Sequence, residues 1–115
     1  MTRRTKQMGV LIQKVIAEII QRKIKDPIFN NYIITVTAVE ITKDFSNAKV
    51  YISSVPDNNE ENKIISTLQK SEGFFRRELN SEIRIKKIPK LTFILDKTQI
   101  NANKIEDLIK EIAIE

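Results

Sequence analysis

The stretch "LQKSEGFFRREL", Leu68–Leu79, reads as a helix from end to end apart from Gly73 near its middle. The chain has only two glycines, and one inside a helix costs about 0.5–1 kcal/mol relative to alanine. Two readings follow. Gly73 caps the end of one helix, or it bends one helical run into two short helices. A bend lets Leu68 and Phe75 face the same sheet. It also implies a positive φ at Gly73, a conformation that a β-branched residue tolerates poorly.

The flanking sequence supports a bend. Met8, Leu11, Ile12, Val15, Ile16, Ile19 and Ile20 recur at three-four spacing, the mark of an amphipathic helix. That helix must stop before Asp26-Pro27, because the residue preceding a proline is pushed out of helical geometry. The period then changes. Tyr32–Thr42 and Ala48–Val55 are rich in Ile, Val, Thr and Tyr and are separated by a polar turn, Lys43–Asn47, which predicts a β-hairpin. In the second strand Ala48, Val50 and Ile52 should face inward and Lys49, Tyr51 and Ser53 outward, whereas the first strand alternates less cleanly.

Asn58 or Asn59 is placed to cap the next helix, with Glu60 and Glu61 in its first turn and Ile64, Ile65 and Leu68 as its apolar stripe. After the bend, Phe74, Phe75 and Leu79 form a second stripe. Ile83, Ile85 and Ile88 lead to Pro89, and Lys90–Asp96 alternates as a third strand. Thr98 or Asn101 opens a final helix with Ile105, Leu108, Ile109 and Ile112 inward. The expectation is one domain over residues 1–115, a two-layer α+β fold with helices on one face of a three-stranded sheet.

Composition narrows the chemistry. The 115 residues include no cysteine and no histidine, which removes thiolate nucleophiles, imidazole bases, disulfides and the usual soft-metal ligands. Asp44, Asp96 and Glu40 form no convincing acid–base or metal set, so neither an enzyme, a metal site nor a cofactor is expected. No apolar run approaches the ~18 residues of a membrane span, and the lack of cysteine fits a cytoplasmic location.

The net charge is +5, but its arrangement matters more: residues 1–25 carry +6, 26–69 carry −3, 70–90 carry +4 and 91–115 carry −2. Two separate basic blocks suggest a polyanionic partner, most simply nucleic acid.

The order of motifs resembles a known family. "SEGFFRREL" followed by "IRIKKIPKLTFILDKT" is similar to the ribosome-binding factor A family, in which a small residue, any residue and a glycine precede a helix start. A basic segment, Pro-x-Leu-x-Phe and a strand ending in Asp then follow, matched here by Pro89, Leu91, Phe93 and Asp96. Upstream, "RRTKQMGVLIQKVIAEII", "KDPIF" and "VTAVEITKDFSNAKVYIS" resemble the family's basic first helix, Asp-Pro turn and hairpin.

The resemblance implies a type II KH-like domain, helix-strand-strand-helix-kink-helix-strand plus a C-terminal helix. It implies binding to the immature small (30S) ribosomal subunit, with help in late maturation of 16S rRNA near its 5′ end. It also implies an assembly GTPase acting in release. Ordinary KH domains grip a single strand with a Gly-x-x-Gly loop between helices. The family has Ala-x-Gly there, and this chain has Ser71-Glu72-Gly73. The serine hydroxyl is expected to bond back to the preceding turn and favour the bend, and Glu72 to repel a phosphate.

For rRNA contact the candidates are Arg3, Arg4 and Lys6 at the first helix, Arg76 and Arg77 after the kink, and Arg84, Lys86, Lys87 and Lys90 before the third strand. One of Arg76 and Arg77 could instead pair with Glu72 or Glu78. Phe75 is expected in the core; Phe74 and Tyr51 could contact bases. The rivals are a general KH-type RNA binder, and an enzyme subunit or protein adaptor whose basic surface only solubilises. The expected protein is a monomer.

Overall fold

The computed structural model describes residues 3–22, 29, 32–55 and 60–97. Their order is α1 (Arg3–Arg22), β1 (Ile33–Ile41), β2 (Asn47–Val55), α2 (Glu61–Lys70), α3 (Glu72–Glu82) and β3 (Lys90–Leu95). The expectations for Asp26-Pro27, for capping by Asn58 or Asn59 and for the C-terminal helix lie outside the described residues. Glu60 occupies the N-cap position of α2 without a side-chain capping bond.

The α1 stripe is shifted from the one expected. Ile12, Val15, Ile16, Ile19 and Ile20 are buried, but Leu11 is 42% exposed and Thr5 and Gly9 are buried in its stead. The cause is a close approach. An added Cβ on Gly9 would lie 2.8 Å from the Val39 carbonyl oxygen, so only glycine lets α1 come this near β1. One turn further on, Gln13 Nε2 donates to the Val36 carbonyl at 2.9 Å.

Strands β1 and β2 pair antiparallel, and the register jumps after Val36↔Ile52 to Ala38↔Tyr51. Thr37 is thus the extra residue of a β-bulge. Because side chains alternate with period two, one extra residue reverses which positions face inward. Val36 is buried before the bulge, and Val39 and Ile41 after it. This is why β1 alternates poorly in sequence. In β2 no such break occurs, and Ala48, Val50 and Ile52 all point inward as expected.

Strand β3 lies parallel to β2, giving the order β1-β2-β3. Bonds from Lys90 N–H to the Ser46 carbonyl (3.0 Å) and from Asp96 N–H to the Ile52 carbonyl (2.7 Å) close its two ends. The outer edge of β3 is occupied by side chains. Leu91 N–H donates to Glu72 Oε1 at 3.1 Å, Gln69 Nε2 donates to the Leu91 carbonyl at 3.1 Å, and Phe93 N–H donates to Gln69 Oε1 at 2.9 Å.

The break between α2 and α3 falls at Ser71, with φ −91° and ψ 10°. This bridge region is open to any L residue. Gly73 does not have the expected positive φ. It lies within α3, exposed, with nothing within 4 Å of an added Cβ. The Ser71 backbone N–H bonds back to the carbonyls of Thr67 (3.3 Å) and Leu68 (3.1 Å), while its hydroxyl makes no capping bond to α3. The consequence expected of a bend is nevertheless present: Leu68, Phe75 and Leu79 are all fully buried. The Phe75 ring sits 5.1 Å from that of Phe93, with Phe74 edge-on to Phe75 at 6.3 Å.

Helix α1 packs on β1 and α3, and α2 and α3 pack on β3. The inward residues of all six elements join one core, each fully buried Ile, Leu or Phe contributing about 1.5–3 kcal/mol of transfer free energy.

The two glycines should therefore respond oppositely to alanine. Gly9→Ala forces α1 off β1 and should destabilise by about 1–2 kcal/mol despite its gain in helix propensity. Gly73→Ala should be neutral or stabilise by up to about 0.5 kcal/mol. Urea melts of both variants check this, and a Gly73→Ala loss as large as that of Gly9→Ala would restore a conformational role for Gly73.

Candidate nucleic-acid interface

The hairpin turn is built around one carboxylate. Asp44 Oδ1 accepts from Thr42 Oγ1 (2.8 Å), Ser46 Oγ (2.7 Å) and Ser46 N–H (3.1 Å). Thr42 Oγ1 in turn accepts from Asn47 N–H at 3.1 Å. These bonds favour the ionised form, the Ser46 hydroxyl contributing most and Thr42 next. They lower the Asp44 pKa from 3.8 to about 2.

The turn holds Phe45 at φ 59°. An aromatic residue in the left-handed region costs about 1–2 kcal/mol, and asparagine or glycine is the usual choice there. The strain places the Phe45 ring, partly buried, beneath the first turns of α1, where the Arg4 guanidinium carbon lies 5.5 Å from the ring centroid. Such a cation–π contact contributes about 0.5–1 kcal/mol at an exposed site.

Around this ring the two basic blocks meet. Arg4 and Met8 from α1, Phe45 from the turn, and Arg84, Ile85, Lys86 and Lys87 from the segment between α3 and β3 line a concavity of about 390 Å³. Its floor is apolar, its rim carries four cations, and no carboxylate among the described residues lines it. The segment reaches this position because Lys90 N–H, at its end, bonds to Ser46 of the same turn. Nearby in the chain, Gly73, Arg76, Arg77, Asn80 and Ile88 line a second concavity of about 320 Å³.

The expected contact residues thus separate into groups. The structure brings Arg4, Arg84, Lys86 and Lys87 together, and Arg76 with Arg77. Lys90 is exposed at the start of β3, while Arg3 and Lys6 are exposed on α1 and line neither concavity. Arg76 Nε pairs with Glu72 Oε1 at 2.9 Å. Glu72 also accepts from Leu91 N–H, so its carboxylate is turned toward β3 and is engaged on both counts. Tyr51 is half-buried, and its hydroxyl donates to Glu40 Oε2 at 3.3 Å. Burial, followed by the charge of Glu40, raises its pKa. Asp96 accepts from Thr37 Oγ1 at 2.6 Å. Among the described residues no group of three or more Cys, His, Asp or Glu is placed to hold a metal ion, and no helix is long and apolar enough to cross a membrane.

Sequence reasoning missed Phe45, Met8 and Ile85. One signal was available: "KDFSN" puts a large aromatic in an otherwise polar hairpin turn, where it must either be exposed or find a partner outside the hairpin.

Comparison with known proteins gives a consistent result. The sequence profile of the family described as Ribosome-binding factor A matches residues 4–109. A ribosome-binding factor A from Staphylococcus epidermidis is 37% identical over 109 residues, covering 95% of this chain and 92% of that protein. The crystal structure of ribosome-binding factor A from Thermus thermophilus has a TM-score of 0.72 at 24% identity, covering 82% of this chain and 97% of that one, a likeness of fold. A homology model of the T. thermophilus factor, fitted into a cryo-EM map of its complex with 30S, has a TM-score of 0.63 at 25% identity, covering 76% of this chain and 90% of that one.

The turn carries a pH prediction. The folded pKa of Asp44 lies below its unfolded value of 3.8, so its stabilising effect is fully present above that value and is lost as pH falls from about 4 to 2. An NMR titration of the Asp44 carboxyl should have its midpoint near 2. Ser46→Ala should move that midpoint toward 3.8. A wild-type midpoint already near 3.8 would mean that the turn bonds do not hold in solution.

Proposed function

The chain belongs to the ribosome-binding factor A family, and from that premise we propose that it binds the immature 30S ribosomal subunit and assists late maturation of 16S rRNA near its 5′ end. The observation that carries this reading is the convergence of Arg4 with Arg84, Lys86 and Lys87 on one concavity that no described carboxylate lines. Cations from distant parts of a chain collected on one surface suit a polyanion. The related T. thermophilus factor, fitted into the map of a 30S complex, supplies the particle.

The protein acts by binding, in the cytoplasm and as a monomer. A factor without chemistry shifts populations: it favours one rRNA conformation by the difference in its affinity for the alternatives, and by no more. Release from the matured subunit then requires that the preferred conformation be lost, a step at which a GTPase partner acts. A general KH-type binder is the poorer account, because the junction between α2 and α3 is the single residue Ser71 and not a Gly-x-x-Gly loop.

Phosphate contacts release counterions, so affinity for small subunits should fall steeply with salt. Replacing Arg84, Lys86 and Lys87 together by Gln should weaken co-sedimentation with 30S particles and flatten the log–log salt slope by roughly 2. The melting temperature should not change. An unaltered slope would remove this cluster from the interface.

Loss of the protein tests the assembly reading in the cell. Rearrangements of paired rRNA have high barriers and slow sharply on cooling. A deletion strain should grow progressively worse as temperature falls and accumulate free small subunits with unprocessed 16S ends, while large-subunit rRNA matures normally. Fully processed 16S rRNA in the cold would rule the reading out.

A further inference from the structure

We propose that the concavity around Phe45 is a receptor for one unpaired nucleotide of RNA, its base stacked against the Phe45 ring and its phosphates held by Arg4, Arg84, Lys86 and Lys87. This deepens the reading above and rests on it for the identity of the RNA. Three observations carry the inference.

The first is the mixed lining. A surface that only neutralised a double helix would need cations alone, because duplex recognition rests on phosphates and sugars. Here the cations surround an apolar floor of Met8, Phe45 and Ile85, in a volume of about 390 Å³, within the size range of small-ligand sites. An unpaired nucleotide is the part of an RNA that offers a flat apolar face and a phosphate together.

The second is the conformation of Phe45. A φ of 59° at a phenylalanine is retained only where the surroundings enforce it, and such outliers cluster at binding sites. The Asp44 bonds with Thr42 and Ser46 supply that enforcement. Asparagine would adopt this conformation more easily, so the residue type is not explained by the turn.

The third is Arg4, 5.5 Å from the ring centroid. A planar guanidinium there can shift aside or stack on the far face of an inserted base while contacting its phosphate. The α2–α3 junction, where a KH domain would take a single strand, lacks the loop for it. The concavity is lined instead from the segment that follows the other end of α3, so a base held there does not use that junction.

Two RNA hairpins test the proposal, one with a single bulged adenosine and one identical but fully paired. Fluorescence anisotropy should show the wild type binding the bulged hairpin about tenfold tighter, the size expected for one base stacked on an aromatic ring. With 2-aminopurine as the bulged base, binding should quench its fluorescence. Phe45→Asn suits the turn, which offsets part of the apolar packing it removes, and a thermal melt checks that it folds. It should lose the tenfold preference, binding the two hairpins alike. Phe45→Tyr should retain the preference. Should the Asn variant fold poorly, Phe45→Leu preserves apolar packing without the flat ring and should lose the preference too. Equal wild-type affinity for the two hairpins, or a preference that survives in folded Asn or Leu variants, overturns the proposal. Its failure is distinct from failure of the functional reading. A protein that co-sediments with 30S particles but treats both hairpins alike fails here alone. One that discriminates the hairpins but ignores 30S particles fails the functional reading alone.

Discussion

The polar groups of Leu91 and Phe93 face an edge of β3 that no strand among the described residues covers, and Gln69 and Glu72 occupy it with three hydrogen bonds. Backbone groups that are partly buried and unpaired each cost about 1–3 kcal/mol, and an open edge also invites pairing with another chain. Two side chains here imitate the ladder of a further strand. They also fasten the α2–α3 junction to β3, so the sheet and both helices hold one position relative to each other. Glu72 can serve this purpose because α3 begins with it, directly after the break at Ser71.

The rest of the surface follows from that attachment. With α3 fixed over β3, the chain between Glu82 and Lys90 must return along the end of the sheet, and it meets the hairpin turn where Lys90 N–H bonds to Ser46. The basic residues of that segment are thereby laid beside Phe45. From the other side, the approach of α1 to β1 at Gly9 sets the depth at which Arg4 arrives over the same ring. The concavity is therefore made by three contacts, none of which lies within it.

Much of this frame was legible in the sequence because its signals are local. The change of period after α1, the alternation of β2 and the Leu68–Phe75 relation each need only a short stretch of chain. What could not be read depends on distant partners. A glycine is retained for its φ or for the space it leaves, and sequence does not distinguish the two. Gly73 suggested the first and has no such φ, while Gly9 requires the second because of Val39, far away in the chain. The bulge at Thr37 was visible only as an untidy alternation, since its reversal of faces is defined by pairing with β2. Of the concavity's lining, the cations were picked out through their clustering. Which of them meet was not, and neither was the apolar floor, because Met8, Phe45 and Ile85 come from three different parts of the chain.

These constraints bear on how a cationic surface could discriminate between folds of one RNA. Affinity from phosphate contacts is large but nearly indifferent to sequence and, when the cations sit on mobile side chains, to conformation as well. Discrimination between two folds of one RNA requires that the cations be held at fixed spacings, so that only one fold presents phosphates to match. Arg84, Lys86 and Lys87 lie outside any helix or strand and cannot hold their spacing alone. Their spacing is fixed from outside, by the Ser46 bond at one end and the buried Ile83 at the other. If the surface selects among RNA conformations as proposed, that selectivity rests on the sealed β3 edge and the Asp44-centred turn, and damage to either should blur the choice between RNA conformations before it removes binding itself.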